Sequence, residues 1–423
     1  MLKKLIKKIL VKIYLLSNIA NIFVYILNKF HQPKKIIEYN NIGIFGWYGS
    51  ETAGDKAILG SIIQNFEKIT DSKVKIKVFS YFKDYTEKTL SELNISTKPE
   101  VVNLDLNTIK KHIKHLDLLI IGGGPLLDDR AMLFWLKVVI LARLFKKNVA
   151  VYGCGVGPLT KEIYKNTVNN ILKLSTIVGL RDKRALDLIE SYDKQIKQQY
   201  KVISDPALNY LPSDKFIDKY PKLDNRLNIG ISLRSWPQNY QPNSMNNAKI
   251  KKLETDYYLS IKKIISNKLK ENPDIHLTLI PMHIYYNDDD REILKDLFND
   301  EIQSGKASLI ESYSLDELFS IFNSLDLCFC MRFHSAVFAL KQGIPLIAVD
   351  YDANKGKVAS LMESVNKQDF VTNILKFNSD WFNEKLENLI IHRKSLEKDL
   401  NEQVNLLVKK NDEFSNEVLF CFH

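Results

Sequence analysis

The sequence predicts an α/β protein built from two doubly wound, Rossmann-like domains that face a cleft, preceded by an amphipathic N-terminal helix. Three observations indicate this architecture. From residue 41 onward, short apolar segments alternate with amphipathic helical segments. Many of the apolar segments are continuously hydrophobic, as expected of parallel strands buried on both faces. A polar segment with two prolines, at residues 211–226, divides the series into two halves of comparable size.

Length and composition agree with a folded protein of more than one domain. The chain has 423 residues, of which 45% are hydrophobic and 26% are charged. This composition excludes collagen-like and wholly disordered chains, and the length predicts two or three domains at roughly 150 residues each. The net charge is +10, but eight lysines and no other charged residue lie in residues 1–35. The rest of the chain is nearly neutral, so we expect no nucleic-acid partner.

The basic N-terminal segment, residues 1–35, is predicted to be helical. Within residues 2–13, leucine and isoleucine fall on one helical stripe and lysines lie largely opposite. The uncharged segment that follows is too short and too polar to span a membrane. We therefore expect a helix that lies on an anionic membrane surface, with contact through residues 1–30, and a cytoplasmic protein at the inner face of the membrane. The alternative is an ordinary amphipathic helix packed on the body.

The predicted elements follow one another as strand, helix, strand. In the N-terminal half, the predicted strands are 42–45, 74–79, 118–121, 149–153 and 177–180. In the C-terminal half, they are 229–233, 276–280, 327–330 and 345–349. Predicted helices include 56–69, 131–145, 183–190 and 256–270. The predicted domains are 36–212 and 228–375, with a linker at 213–227 and C-terminal helices over 376–423 that pack across both domains.

The four cysteines indicate a reducing compartment. They are Cys154, Cys328, Cys330 and Cys421. No Cys-x-x-Cys pair or cysteine–histidine spacing typical of zinc is present, so we predict free thiols and no metal site.

In the N-terminal half, the candidate site residues follow the first and third predicted strands. The glycine-rich segment after the first strand does not have the spacing of a dinucleotide fingerprint. Asp55 stands where a helix N-cap belongs, so it either caps the helix or accepts a proton from a substrate hydroxyl. Gly123 and Gly124 follow strand 118–121 and leave room for a ligand or for another backbone. We expect them to line the cleft and bind substrate.

In the C-terminal half, the strongest candidates follow strand 327–330. Arg332 and His334 come between this strand and an apolar helix. A helix N-terminus with a guanidinium and an imidazole suits a doubly charged anion. Ser335 adds a hydroxyl to the same place. Arg234 follows the first strand of this half, at the edge where ligands of parallel sheets bind.

Two further groups of polar residues leave alternatives open. Lys355 and Lys357 follow strand 345–349, where they are either further anion contacts or solvated charges. His283 follows strand 276–280, with Asp288, Asp289 and Asp290 close behind. This group has too few spaced ligands for a metal, and it is either a substrate contact or a surface loop.

Taken in order, these motifs resemble the polysaccharide pyruvyl transferase family over about residues 41–362. The matching motifs are Gly54-Asp55-Lys56-Ala57-Ile58, Gly122–Gly124, Val156-Gly157-Pro158, Arg181-Asp182, Asp205-Pro206-Ala207, Arg332-Phe333-His334 and the loop at Tyr351. Each motif is weak by itself, and their shared order makes the resemblance specific.

The resemblance implies a fold like that of GT-B glycosyltransferases. It also implies phosphoenolpyruvate as the donor substrate, with no cofactor, and a pyruvate ketal on a sugar of a cell-surface glycan or exopolysaccharide as the product. Arg332 and His334 match the family's donor-binding Arg-x-His, and Arg234 matches an arginine after the first strand of the second domain. We expect His334 to act as general acid or phosphate ligand and Asp55 to deprotonate the acceptor. A membrane-surface helix favours a lipid-linked glycan as the acceptor.

Two other functions compete with this one. A nucleotide-sugar glycosyltransferase of the same fold would place a ribose-binding Glu five residues before Gly343, where this chain has Phe338. A non-catalytic scaffold in envelope glycan synthesis is disfavoured because Arg234, Arg332 and His334 are all retained.

Overall fold

The computed structural model describes residues 18–35, 39–49, 52–128, 132–193, 200–216, 219–242, 244–285, 288–352 and 356–420. The lysine-rich segment 2–13, Lys355 and Cys421 lie outside these ranges. The chain divides into two compact units. The first consists of Met1–Ser50, Gly54–Leu211 and Lys409–His423, and the second of Glu51–Ala53 and Pro212–Val408.

The first unit contains a seven-stranded parallel sheet. Its strands are β1 (Asn41–Phe45), β2 (Lys75–Ser80), β3 (Glu100–Asn103), β4 (Leu118–Leu127), β5 (Asn148–Val156), β6 (Ile177–Leu180) and β7 (Lys201–Val202). Their order across the sheet is β3-β2-β1-β4-β5-β6-β7. The neighbouring strands pair in parallel.

Helices alternate with these strands along the chain. They are α1 (Asn18–Phe30), α2 (Ala53–Thr70), α3 (Lys83–Glu92), α4 (Leu106–Ile113), α5 (Met132–Leu144), α6 (Glu162–Leu174) and α7 (Lys183–Tyr192). Apolar side chains from the strands and helices form the core, in which Trp135 of α5 is fully buried.

The second unit contains a six-stranded parallel sheet and one short antiparallel pair. The strands are β8 (Leu227–Ser232), β9 (Ile275–Leu279), β10 (Ile284–Tyr285), β11 (Asp288–Asp289), β12 (Ala307–Leu309), β13 (Leu327–Cys330), β14 (Leu346–Asp350) and β15 (Val371–Asn373). The six-stranded order is β12-β9-β8-β13-β14-β15, and β10 pairs with β11. The helices are α8 (Asn247–Glu271), α9 (Asp290–Gln303), α10 (Leu315–Asn323), α11 (Phe333–Lys341), α12 (Lys357–Ser364) and α13 (Ser379–Phe420).

Both sheets have the doubly wound order, which confirms the predicted fold class. In each sheet the strand order reverses at one point, between β1 and β4 in the first unit and between β8 and β13 in the second. Open α/β sheets bind ligands beyond the carboxyl ends of the strands at this reversal. The residues that follow these four strands are therefore the first candidates for function in each unit.

The structure corrects two local predictions in the first unit. The predicted strands 118–121 and 149–153 continue to Leu127 and Val156, because the glycine run stays paired with β5 through Gly122 and Gly124. The glycines are thus part of β4 and do not form a loop after it. Helix α2 begins at Ala53, so Asp55 is its third residue and is not its N-cap.

The three described cysteines agree with the prediction of free thiols. Cys154, Cys328 and Cys330 are buried and form no disulfide. Within the described ranges, no helix has both the length and the apolar character needed to cross a membrane.

Candidate functional site

Arg332 stands at the reversal point of the second sheet, between β13 and α11. Its side chain is 5% exposed. Nε and Nη2 donate to the two carboxylate oxygens of Asp290, at 2.8 and 2.6 Å. Nη2 also donates to Oδ1 of Asp288 at 2.7 Å. These carboxylates raise the pKa of Arg332 even though burial alone would lower it.

His283 follows the neighbouring strand β9 and joins the same cluster. Its Nδ1 lies 2.5 Å from Oδ2 of Asp288, and its Nε2 lies 3.3 Å from Nη1 of Arg332. An arginine can only donate, so Nε2 is the acceptor and the proton of the neutral ring is on Nδ1. Burial lowers the pKa of His283, and the positive charge of Arg332 lowers it further. The hydrogen bond to Asp288 raises this pKa but does not cancel the two other effects. The pKa of Asp288 is lowered by His283 and Arg332, which outweigh its burial.

Arg234 follows β8, the strand between β9 and β13. Its Nε donates to the carbonyl of Ser235 at 3.1 Å, and its Nη2 is 3.9 Å from Oδ1 of Asp288. The guanidinium lies over the ring of Tyr351, 5.2 Å from the centroid. Burial and the positive charge of Arg332 lower the pKa of Arg234. Among the described residues, its Nη atoms have no hydrogen-bond acceptor.

A second cation lies near the same aromatic ring. Nζ of Lys357, the first residue of α12, is 5.9 Å from the ring centroid of Tyr351 and 5.4 Å from that of Phe333. Asp350 at the end of β14 is buried and accepts the N–H groups of Asp352 and Ala359. These bonds fix the start of α12. Lys355, the other predicted anion contact, lies outside the described residues.

His334 and Ser335 occupy the first turn of α11. The ring of His334 packs against Phe333 at 5.2 Å and lies 6.2 Å from Phe338, measured between centroids. The hydroxyl of Ser335 donates to the carbonyl of Arg332 at 2.6 Å. Its proton is therefore used within the helix turn, and only its lone pairs remain for another group.

In the first unit, Asp55 lies beside the glycine run of β4. A Cβ atom on Gly124 would be 3.1 Å from Oδ1 of Asp55. The hydroxyl of Tyr48 donates to the carbonyl of Gly122 at 3.1 Å. Burial raises the pKa of Tyr48, and the carboxylate of Asp55 raises it further. Asp55, Tyr48 and the glycines thus form one polar cluster at the reversal point of this sheet.

Gly123 has a packing role in this cluster. Its φ is +65°, and a Cβ atom there would overlap with Ile58 of α2. Helix α2 can therefore approach β4 closely only because this residue has no side chain.

Arg181, which belongs to the Arg-Asp motif, is buried in the first unit. Its Nε donates to Asp182 at 3.0 Å, and its Nη1 is 4.0 Å from Asp205. These carboxylates raise the pKa of Arg181 against the effect of burial. The three residues form an internal charge network.

The structure therefore places Arg332 and Arg234 near one carboxylate, that of Asp288. It places Arg234 and Lys357 near the ring of Tyr351 and Asp55 beside Gly124. Sequence reasoning left the role of His283 open and missed Asp290 as the partner of Arg332. The only signal was the acidic run at residues 288–290, which did not indicate its partner. No group of three metal-ligating side chains was found within the part of the chain that the structure describes.

Solved structures with a similar fold include those of a UDP-GlcNAc 2-epimerase and a glycosyltransferase. UDP-GlcNAc 2-epimerase of Neisseria meningitidis, bound to UDP-GlcNAc, has a TM-score of 0.58 at 14% identity, covering 90% of this chain and 99% of that one. A glycosyltransferase of Rickettsia africae has a TM-score of 0.56 at 14% identity, with 90% and 99% coverage. The MnaA–UDP structure of S. aureus has the same TM-score and identity, with 90% and 96% coverage. At this identity the likeness establishes a GT-B-like fold and no more.

The sequence itself identifies the family. No curated protein matches the chain. The family model of polysaccharide pyruvyl transferase matches residues 53–353, which include β8, β13 and the residues that follow them. The chain therefore belongs to the polysaccharide pyruvyl transferase family.

Proposed function

We propose that the protein transfers the pyruvyl group of phosphoenolpyruvate to two hydroxyls of a sugar as a ketal. The observation that carries the proposal is the set of cations at the reversal point of the second sheet. Arg234 and Lys357 lie 5.2 and 5.9 Å from the centroid of one ring, that of Tyr351. The described residues offer no hydrogen-bond acceptor to the Nη atoms of Arg234. An anion bound near the ring of Tyr351 would be attracted by both cations.

Phosphoenolpyruvate fits this arrangement because it carries a phosphate and a carboxylate. A guanidinium forms paired hydrogen bonds with either group, and an ammonium adds a point charge. The N-terminus of α11, where Phe333 lies beside Lys357, contributes further N–H groups and a partial positive charge. His334 and Ser335 belong to this first turn.

The proposed reaction balances without a cofactor. Protonation of C3 of phosphoenolpyruvate generates a cationic C2, and a sugar hydroxyl adds to C2. The bond from C2 to the phosphate oxygen then breaks, and a second hydroxyl closes the ketal. Of the two hydroxyl protons, one balances the proton gained by C3 and the other leaves with phosphate. In this scheme His334 is the proton donor to C3 or a ligand of the phosphate.

The acceptor roles are assigned to the first unit. Asp55 is the proposed base for the sugar hydroxyl, and Gly123 and Gly124 belong to the same proposed acceptor side. The family's acceptors are polysaccharides by name, which supports a glycan as the acceptor. We further propose that the lysine-rich segment 2–13 binds an anionic membrane surface, so that the enzyme works on a lipid-linked glycan at the cytoplasmic face.

A nucleotide-sugar glycosyltransferase is the second candidate, favoured by structural relatives whose titles name UDP or UDP-GlcNAc. The position five residues before Gly343 argues against it. Phe338 is fully buried there, with its ring 4.8 Å from Phe319 and 5.8 Å from Phe322. The residue at position 338 therefore offers no carboxylate to a ribose.

Thermal unfolding of the full chain distinguishes the two candidates. A ligand at 100 times its dissociation constant stabilises the native state by about 2.7 kcal/mol. We expect this shift with phosphoenolpyruvate and not with UDP-GlcNAc or other nucleotide sugars. The opposite pattern would overturn the proposed donor. Release of inorganic phosphate from phosphoenolpyruvate, dependent on added cell-surface glycan, then measures the transfer itself.

A further inference from the structure

Arg332 and Arg234, the two arginines beside the reversal point of the second sheet, differ in how many of their N–H groups have hydrogen-bond partners within the protein. A guanidinium has five N–H groups. Arg332 directs four of them to described residues: two to Asp290, one to Asp288 and one to His283. Arg234 directs one, from Nε to the carbonyl of Ser235. Arg332 thus has little left for a ligand, whereas Arg234 keeps both of its Nη groups.

Arg332, Asp288 and His283 form a hydrogen-bonded ring of three side chains. Asp288 accepts from Nδ1 of His283 through Oδ2 and from Nη2 of Arg332 through Oδ1. Nη1 of Arg332 then faces Nε2 of His283. Each member contacts the other two, so the position of each is fixed by two contacts. Asp288 also lies 3.9 Å from Nη2 of Arg234, so its negative charge stands between the two guanidinium groups.

Asp290 anchors this ring to the backbone. It is 2% exposed and begins α9. Its Oδ2 accepts the N–H groups of Met282 and His283, both at 3.1 Å, in addition to Nε of Arg332. One carboxylate therefore connects the turn after β9 to the guanidinium after β13.

We propose that Arg332 is a positioning residue, held by Asp290 and Asp288, and that Arg234 is the guanidinium that contacts the donor anion. Arg332 acts through Asp288, which attracts Arg234 and orients it over Tyr351. Asp288, Asp290 and His283 are then part of the donor site although none of them binds the anion. This inference rests on the proposed function for the identity of the anion, which is phosphoenolpyruvate.

The test compares substitutions of the two arginines in the full chain, with phosphoenolpyruvate titrated by calorimetry. Arg234→Gln is expected to weaken binding at least tenfold with little change in the unfolding midpoint of the ligand-free protein. Arg332→Gln is expected to lower that midpoint, because it leaves Asp290 buried without its cation. Arg291→Gln is the control, since it removes a neighbouring arginine that pairs with Asp289 and not with this ring. It should bind phosphoenolpyruvate like wild type.

Rescue separates positioning from direct contact. In Arg332→Gln/Asp290→Asn, the asparagine oxygen still accepts the N–H groups of Met282 and His283, and its amide can pair with the glutamine. If Arg332 only positions, this double variant regains the midpoint, because the buried partner of residue 332 no longer carries an unpaired charge. Asp288 is still held by Nδ1 of His283 beside Arg234, so phosphoenolpyruvate affinity also returns to within about threefold of wild type. A double variant that regains the midpoint but binds no phosphoenolpyruvate would overturn the inference. Wild-type affinity in Arg234→Gln would also overturn it.

Inorganic phosphate, titrated into the same variants, separates this inference from the proposed function. If wild-type protein binds phosphate but not phosphoenolpyruvate, the proposed donor is rejected. The roles of the two arginines are then tested by phosphate binding alone. Loss of phosphate binding in Arg234→Gln, with rescue of Arg332→Gln by Asp290→Asn, would then support those roles. Binding of neither anion would overturn both proposals.

Discussion

Arg332 and Arg234 follow neighbouring strands of one sheet, yet the protein surrounds them differently. Their sequence contexts are alike, because each comes directly after a buried strand. What separates them is Asp290, which is 42 residues before Arg332 in the chain. A pairing over such a distance is created by the strand order β9-β8-β13 and has no local pattern. The sequence could therefore predict the cations of the site but not their carboxylate partners.

The proposed role of Asp55 as general base can be tested in the first unit by substitution. Asp55→Asn keeps the size of the side chain beside Gly124 and removes its ability to take up a proton. We expect phosphoenolpyruvate binding to remain at the wild-type level, because the proposed donor residues are in the other unit. Glycan-dependent phosphate release should fall at least a hundredfold, in the range usual for loss of a general base. Full release in this variant would rule out Asp55 as the base.

His283 makes stability depend on pH. Its pKa in the folded protein is below its ordinary value of 6.5, so the unfolded chain takes up the proton first as pH falls. The stability gained from the neutral ring is complete above pH 6.5 and is lost as pH falls below 6.5 toward the folded pKa. The groups that face the ring are Asp288, Asp290 and Arg332.

Urea unfolding between pH 7.5 and pH 5.5 measures this effect. The difference in unfolding free energy between wild type and His283→Asn should shrink as the pH is lowered. His276→Asn is a useful comparison, since burial also lowers the pKa of His276 in another part of the unit. A difference for His283→Asn that stays constant with pH would contradict the neutral ring.

The secondary-structure elements differ in how well local patterns predicted them. The bounds of β6 and β13 agree with the prediction, because each is a short apolar run that a polar residue, Thr176 or Asp326, precedes. The end of β4 was wrong because glycines usually indicate a turn, and here they continue the strand. Helix α8 begins nine residues earlier than predicted, at Asn247, since Asn246 caps it by accepting the N–H of Lys249. Asn246 is a typical N-cap residue, so the sequence did contain a signal for this helix start, within a polar segment.

Gly123→Ala tests whether the glycine in β4 is needed for packing. The substitution introduces a left-handed backbone strain and an overlap with Ile58, so we expect a loss of about 3 kcal/mol in unfolding free energy. Gly305→Ala is a matched control. Gly305 has a φ of +71° but nothing within 4 Å of its added Cβ, so only the strain remains, about 1 kcal/mol. Equal losses in the two variants would reject the packing role.

At the scale of the whole molecule, α13 contributes to both units. Its residues up to Val408 belong to the second unit, where Phe382 and Leu386 are in the core. Its residues from Lys409 onward belong to the first unit, where Phe414 packs against Tyr152 at 5.4 Å between centroids. The doubly wound fold was predictable from the alternation of strands and helices. The sequence analysis expected C-terminal helices that pack across both domains, but the residues that α13 contacts in the first unit were not predictable, because they lie more than 200 residues away in the chain.

Asn411→Ala measures what this helix contributes to the first unit. Asn411 is fully buried. Its amide donates to Asn209 and to the carbonyl of Asp205, and its oxygen accepts the N–H of Ser204. Removing these bonds should lower the unfolding free energy by about 3 kcal/mol, since buried polar groups lose their partners. Asn416→Ala, at an exposed position of the same helix, should change it little. A small effect in both would mean that water replaces Asn411.

The position of α13 has a consequence for the protein during its synthesis. Most of the first unit lies in the part of the chain up to Leu211, but its last segment begins at Lys409, about 200 residues later. At roughly 5–20 residues per second, the ribosome needs about 10–40 s to add that stretch. During this interval Tyr152 and Asn65 lack Ser415, which later hydrogen-bonds to both. The hydrogen bonds of Ser415 to the first unit therefore form only after the second unit, up to Val408, has been translated.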